Sequence, residues 1–273
     1  MQFVDRALAR RFESAEEMPQ VHHACFARKH HPEIGAAVAP IAGGHMIFAG
    51  LGSPIGRAAG MGFSAPVTDA DFDQLENFYY SRTAPAQLDY TPLTDMSMLE
   101  IARKRGYQIA ELNQVLARKL NHHETFVQDV SGFHIRSSPP EEALAFAAVV
   151  RESFFPGGGE HAGFDEMIAP MSGFPGAITF VAEAEGRIVA TGAGLVIPEH
   201  KIVALHGAGT LKPYRGRGVQ TAMLGRRLAL AAQGGCEYAV IVTQGGTTSQ
   251  RNAERGGFSV AYSKATLIKD YKA

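Results

Sequence analysis

The chain predicts an α/β fold of the α+β kind: mixed sheets flanked by helices, present twice in tandem, with the active copy C-terminal. Three observations lead there. Residues 133–268 alternate short apolar strand-like runs with helix-forming runs. One of those strands enters a helix through a basic, glycine-rich turn, Leu211-Lys-Pro-Tyr-Arg-Gly-Arg-Gly-Val-Gln-Thr221. The first half repeats the later part of the same order, an internal echo.

The elements of the second half follow from pattern and punctuation. Phe133 to Arg136 is a short strand, and Pro140 to Ser153 a helix opened by Glu141 and Glu142, which suit a helix N-terminus. Phe155 to Phe174 is irregular and glycine-rich. Ala177 to Ala184 and Ile188 to Ile197 form a hairpin turned at Glu185-Gly186. Ile202 to Leu211 is the strand that enters the turn. Thr221 to Gln233 is a helix with Leu224, Leu228 and Ala231 on one face, stopped by Gly234-Gly235. Tyr238 to Thr243 is a wholly apolar, central strand. Thr248 to Arg255 is a short helix stopped by Gly256-Gly257, and Phe258 to Ile268 closes the order as a strand.

The first half reads as strands at Met46–Phe48 and Gly56–Phe63, and a helix at Asp69–Arg82. A strand at Gln87–Pro92, a helix at Met96–Arg105 and a strand at Ile109–Leu120 follow. Gly106-Tyr107 stands where Gly257-Phe258 stands in the second half, each after a short helix ending in arginine. The polar stretch Asn121-His-His-Glu124 separates the copies, so the boundary is expected near 131, with domains 1–131 and 132–273.

Composition bounds the chemistry. The net charge is −1, so no global basic field argues for nucleic acid. The two cysteines, Cys25 and Cys236, give neither a disulfide framework nor a zinc spacing, which suits the cytoplasm. The N-terminus lacks a signal-peptide core, and no apolar run approaches the ~20 residues of a membrane span. His22-His23 and His30-His31 bracket Cys25. Seven residues of helix rise roughly 10 Å, too far for one ion, so no metal is expected.

The turn is the chemical centre. Glycines let backbone N–H groups approach an anion, and a helix start adds about half a positive charge. The equivalent turn of the first half, Ser64 to Asp71, has no glycine. There Asp69, Asp71 and Asp73 gather at the helix start and would occupy or repel an anion. Arg57-x-x-Gly60-x-Gly62 fits a similar pattern but lies within an expected strand, where small residues let strands approach.

These residues resemble the GNAT family of N-acyltransferases over roughly 132–270. Arg215-Gly216-Arg217-Gly218-Val219-Gln220 is similar to the family's Gln/Arg-x-x-Gly-x-Gly/Ala turn, preceded by Leu211-x-Pro213 for its V-x-P. The tail Ser249-Gln-Arg-Asn-Ala-Glu-Arg-Gly-Gly-Phe258 resembles its later N-x-x-A…GF motif. The resemblance implies acetyl-CoA as co-substrate and direct transfer to a primary amine of a small molecule or peptide. It further implies that Leu211 pairs with the pantetheine arm and that backbone N–H groups of Arg215, Gly216, Arg217, Gly218, Val219, Gln220 and Thr221 hold the pyrophosphate. Asn252 is then a further hydrogen-bonding residue for the pantetheine or its phosphate end. Two positions depart from the family. Gln220 replaces a small residue, and Ala253 stands where many members carry a tyrosine that protonates the leaving thiolate.

His206 is the candidate base, as the titratable side chain of the strand entering the turn. The competing reading is a histidine packed on the other face, since strand side chains alternate and a bulge inverts the parity. Glu160-His161 is a second candidate for the acceptor site, and a solvated loop the alternative. Cys236, at a strand entrance, reads as core, while Glu183 and Glu185 read as solvated. The competing functions are a non-catalytic acyl-CoA sensor, kept open by Ala253, and aminoacyl transfer from tRNA, which the near-neutral charge disfavours. A homodimer is compatible with either.

Overall fold

The computed structural model describes residues 3–121, 129–156 and 164–271. In chain order the elements are α1 (Arg6–His30), β1 (Ala37–Ile41), β2 (Gly44–Phe48), α2 (Asp69–Tyr80), β3 (Ala86–Tyr90), α3 (Met96–Lys104), β4 (Gln108–Lys119) and β5 (His134–Ser137). Then come α4 (Ala143–Phe154), α5 (Phe164–Ile168), β6 (Ala177–Ala184), β7 (Arg187–Ile197), β8 (Ile202–Thr210), α6 (Val219–Gln233), β9 (Tyr238–Gln244), α7 (Thr248–Arg255) and β10 (Ser259–Lys269). They fall into two compact units, Met1–Ala117 with Val242–Ala273, and Arg118–Ile241.

The first unit is discontinuous because β10 is built between β3 and β4, antiparallel to both. Residue 131, the expected boundary, lies inside the second unit, and 242–273 groups with the first. Pairing partners of a C-terminal strand are not legible in a local pattern. Phe72, Leu75 and Tyr79 of α2, Met98 and Ile101 of α3, and Leu88 and Leu267 form its main core. The turn into α2 is filled from within: the Thr68 side chain accepts from Asp71 N–H, and the Asp71 carboxylate accepts from Thr68 N–H at 2.8 Å. Arg105 holds Asp69 and Asp73 at 2.9 and 2.7 Å. This helix start therefore meets its own carboxylates.

One expectation for the first half needs correction, and one element was missed. Gly56–Phe63 is not a strand; within it only Ala58 and Ala59 make bridges, to Leu88 and His45. Gly56, Gly60 and Gly62 all take positive φ, which breaks an extended run. The hairpin β1–β2 was not expected. It turns at Ala42-Gly43, both at positive φ, a turn whose usual Asn-Gly signature is absent.

In the second unit β5, β6, β7 and β8 form an antiparallel run, and β9 joins β8 in parallel. α4 packs against β7 and β8, and α6 against β6, β7 and β8. Leu228 and Ala231 of α6 are buried as the helical spacing requires, and Leu224 is half-buried. Cys236 is core, and burial pushes its thiol up to about 11. Glu183 and Glu185 are not merely solvated. Glu183 pairs with Arg136, and Glu185 accepts from the Tyr214 hydroxyl at 2.8 Å.

Candidate functional site

The glycine-rich turn has the backbone geometry of an anion cradle. Gly216 and Gly218 sit at φ +75° and +82°, in the left-handed region where an L side chain is strained. Neither has a neighbour within 4 Å of where a Cβ would stand, so the space above them is open. Gly218 is the N-cap of α6, and no acidic residue occupies the first turn of that helix. The first N–H groups of α6, at Val219, Gln220 and Thr221, lack intrahelical acceptors by construction and add the positive end of the helix dipole. The helix thus starts at Val219, two residues before the sequence pattern suggests.

The arginines contribute less than their charge suggests. Arg215 turns back, its Nε donating to Thr210 O at 2.8 Å and Nη2 to Ser153 O at 2.9 Å. It fastens the end of β8 to α4. Arg217 is exposed and lies over the Tyr214 ring, 5.5 Å from its centroid. Leu211 is buried, and its N–H donates to Val189 O at 2.9 Å.

β8 itself is interrupted. It pairs with β9 only through Ile202, Val203 and Ala204, so Leu205–Thr210 has an edge free of β9. On its other side Ala193 opposes His206 while Thr191 opposes Gly209, leaving one extra residue in β8. This is a β-bulge, with Gly207 at φ +58°. The bulge reverses the alternation, so His206 shares a face with Gly209, whose Cβ position meets Ser153 of α4 at 2.7 Å.

Gln220 secures the bulge. Its Nε2 lies 2.9 Å from Thr191 O, 2.6 Å from Gly209 O and 3.0 Å from Thr210 Oγ1. The side chain that replaces a small residue therefore points into the β7–β8 seam and away from the open turn. Gln220→Ala is expected to cost about 1–3 kcal/mol by stranding those carbonyls. Denaturant unfolding checks this; an unchanged midpoint refutes it.

A cavity of about 200 Å³ lies beside the bulge. Phe146 and Val150 of α4 and Phe164 and Ile168 of α5 form its apolar walls. Thr179, Ala193, His206 and Gly207 form its sheet side. His206 is half-buried there. Burial, with the Arg227 guanidinium as second cause, pushes its imidazole from 6.5 down to about 4. Arg227 is 3% exposed, donates from Nη1 to Ala193 O at 2.9 Å, and is itself lowered to about 10 by burial.

The sign of the pH effect follows. The folded protein holds His206 neutral, whereas the unfolded imidazole takes up a proton near 6.5. The stabilisation is complete above 6.5 and is lost as pH falls toward about 4. His206→Gln is expected to flatten that part of the stability-versus-pH curve. A curve unchanged between those limits refutes the assignment.

His206, Leu211 and the whole turn to Thr221 thus lie in one unit, around one strand and one helix start. Asn252 and Ala253 sit on α7, in the other unit; Asn252 is exposed and Ala253 buried. Glu160-His161 lies outside the described residues. The cavity walls and the Gln220 anchor were not read from the sequence. Among the described residues, no group of three or more His, Cys, Asp or Glu side chains could hold a metal ion, and no helix is long and apolar enough to cross a membrane.

Comparison with known proteins bears on this geometry. The profile of the Acetyltransferase (GNAT) family matches residues 146–258, which spans the cavity, bulge, turn and α7. No curated protein matches. Among solved structures, a GCN5-related N-acetyltransferase from Kribbella flavida aligns over 92% of this chain and 96% of its own, at TM-score 0.61 and 16% identity. A functionally unknown conserved protein from Staphylococcus epidermidis aligns over 90% and 98%, at TM-score 0.59 and 13% identity. A tandem GNAT protein from the clavulanic acid biosynthesis pathway aligns over 75% and 70%, at TM-score 0.56 and 10% identity. At such identities the likeness is one of fold.

Proposed function

We propose, from the match of residues 146–258 to the Acetyltransferase (GNAT) family, that this chain transfers an acyl group from acetyl-CoA to a primary amine. The observation that carries this reading is the turn itself: two left-handed glycines, open space above them, and a helix start without a carboxylate. In this reading the N–H groups from Arg215 to Thr221 bind the pyrophosphate. Each charge-assisted hydrogen bond contributes about 1.5–3 kcal/mol. The β9-side edge of Leu205–Thr210 accepts the pantetheine arm as an added strand, and its N–H groups polarise the thioester carbonyl; Leu211, expected to pair with that arm, spends its N–H on Val189 O and its carbonyl on Tyr214 N–H.

His206 takes the proton that the amine loses on attack, directly or through water. Its lowered affinity for protons keeps it neutral and able to accept one at pH 7. The first-half turn, filled by Thr68, Asp69, Asp71 and Asp73, takes no pyrophosphate, so one site serves the whole chain.

The test is thiol release from acetyl-CoA over a panel of amines, beside calorimetric titration with acetyl-CoA. The expected result is micromolar binding and amine-dependent release. The second reading, a non-catalytic acyl-CoA sensor, is favoured by Ala253, buried and without a proton to give. Binding without release under any amine supports that reading and overturns the transferase.

A further inference from the structure

The cavity beside His206 has a lining that restricts what can enter it. Its walls are Phe146, Val150, Phe164, Ile168 and Met171, and its polar groups are hydroxyls and the imidazole. Among the described residues it is lined by no carboxylate and no cation. The acid beside its wall, Asp165, is already held by Arg151 at 2.9 Å. An apolar cavity of roughly 150 Å³ takes one benzene ring, so about 200 Å³ accommodates a ring with its substituent.

Resting on the transferase reading above, we infer that the acceptor is a weakly basic amine carried on an aromatic ring, an arylamine. The described lining offers an alkylammonium ion no counter-charge.

The physical reason is desolvation. An alkylamine has a pKa near ~10, so about one molecule in a thousand is neutral at pH 7. The cation loses its hydration on entering an apolar site, and no described carboxylate of the lining replaces it. An arylamine donates its lone pair into the ring and is neutral at pH 7. It enters as the nucleophile with no proton to shed first. His206, whose imidazole is poorly basic here, suits this acceptor: it need only take the proton that becomes acidic once the nitrogen has bonded. The balance is simple. The nitrogen lone pair forms a bond to the acyl carbon, and the carbon–sulfur bond breaks with its pair going to sulfur. The nitrogen's proton passes through His206 to the thiolate, giving an amide and the CoA thiol.

The experiment compares aniline, benzylamine and spermidine with acetyl-CoA at pH 7, on the full chain. Aniline is expected to show kcat/KM at least ~10-fold above benzylamine, with spermidine inactive, given the neutral fractions of each. Ser172→Asp places a carboxylate in the lining and is expected to raise the benzylamine-to-aniline ratio; an unchanged ratio overturns the inference. A wild-type preference for benzylamine or spermidine overturns it while leaving acyl transfer standing. Faster transfer from hexanoyl-CoA than from acetyl-CoA assigns the cavity to the acyl chain and overturns it as well. Release with none of the amines, acetyl-CoA still binding, overturns both readings.

Discussion

Gly218→Val is expected to raise the acetyl-CoA Kd at least ~100-fold, read by calorimetric titration. Gly218 holds φ +82° at the N-cap of α6. The left-handed region costs an L-residue about 1–2 kcal/mol, and more when it is β-branched. The chain escapes that cost by rotating the residue, which redirects the first N–H groups of the helix. A Cβ there meets nothing in the protein, so the change falls on the anion and spares the core. Losing two charge-assisted hydrogen bonds, at about 1.5–3 kcal/mol each, gives at least the stated factor. The fold should survive, with a thermal midpoint only a few degrees lower. Unchanged affinity removes the turn from the acetyl-CoA site.

Lys264→Met is expected to destabilise the first unit by about 3–5 kcal/mol. The ammonium is 1% exposed and lies 3.1 Å from Glu13 and 2.9 Å from Asp89, both carboxylates equally buried. Burial alone pushes the ammonium's proton affinity down; Asp89 and Glu13 outweigh it and raise it above its ordinary value. Asp89 also receives Arg57 at 2.8 Å and the Thr266 hydroxyl at 3.0 Å, and sits at about 2. Glu13 accepts from Lys264 and the Tyr262 hydroxyl, and burial raises its carboxyl. Removing the lysine strands Glu13 in particular. Glu13→Gln in the same chain should therefore recover part of the loss. Urea unfolding measures both, and equal losses in single and double variants refute the coupling.

The turn was legible because its geometry is local. Glycine spacing, a strand before and a helix after are all within a dozen residues, and the chemistry of N–H groups at a helix start depends on little else. Most elements were legible for the same reason, from period and punctuation. The failures are just as physical. Gly56–Phe63 has the composition of a strand, yet three glycines at positive φ give it another path. Ala42-Gly43 turns a hairpin without the residues that announce one. Which face His206 takes could not be read, because one extra residue in β8 reverses the parity. Gln220, a departure from the family's pattern at the level of sequence, is structurally the group that secures that extra residue.

What the sequence determined by itself was the class of fold, a likeness of its second half to one family, and a glycine-rich turn present in one half with aspartates at the equivalent turn of the other. Each rests on neighbours along the chain. Tertiary structure alone decided that 242–273 belongs with the first unit, that an apolar cavity opens beside His206, and that Glu13, Asp89, Lys264 and Arg57 are paired in one core. Those facts join residues up to 251 positions apart. Proton affinity and substrate choice depend on burial and on partners, and both are set by folding, not by sequence spacing.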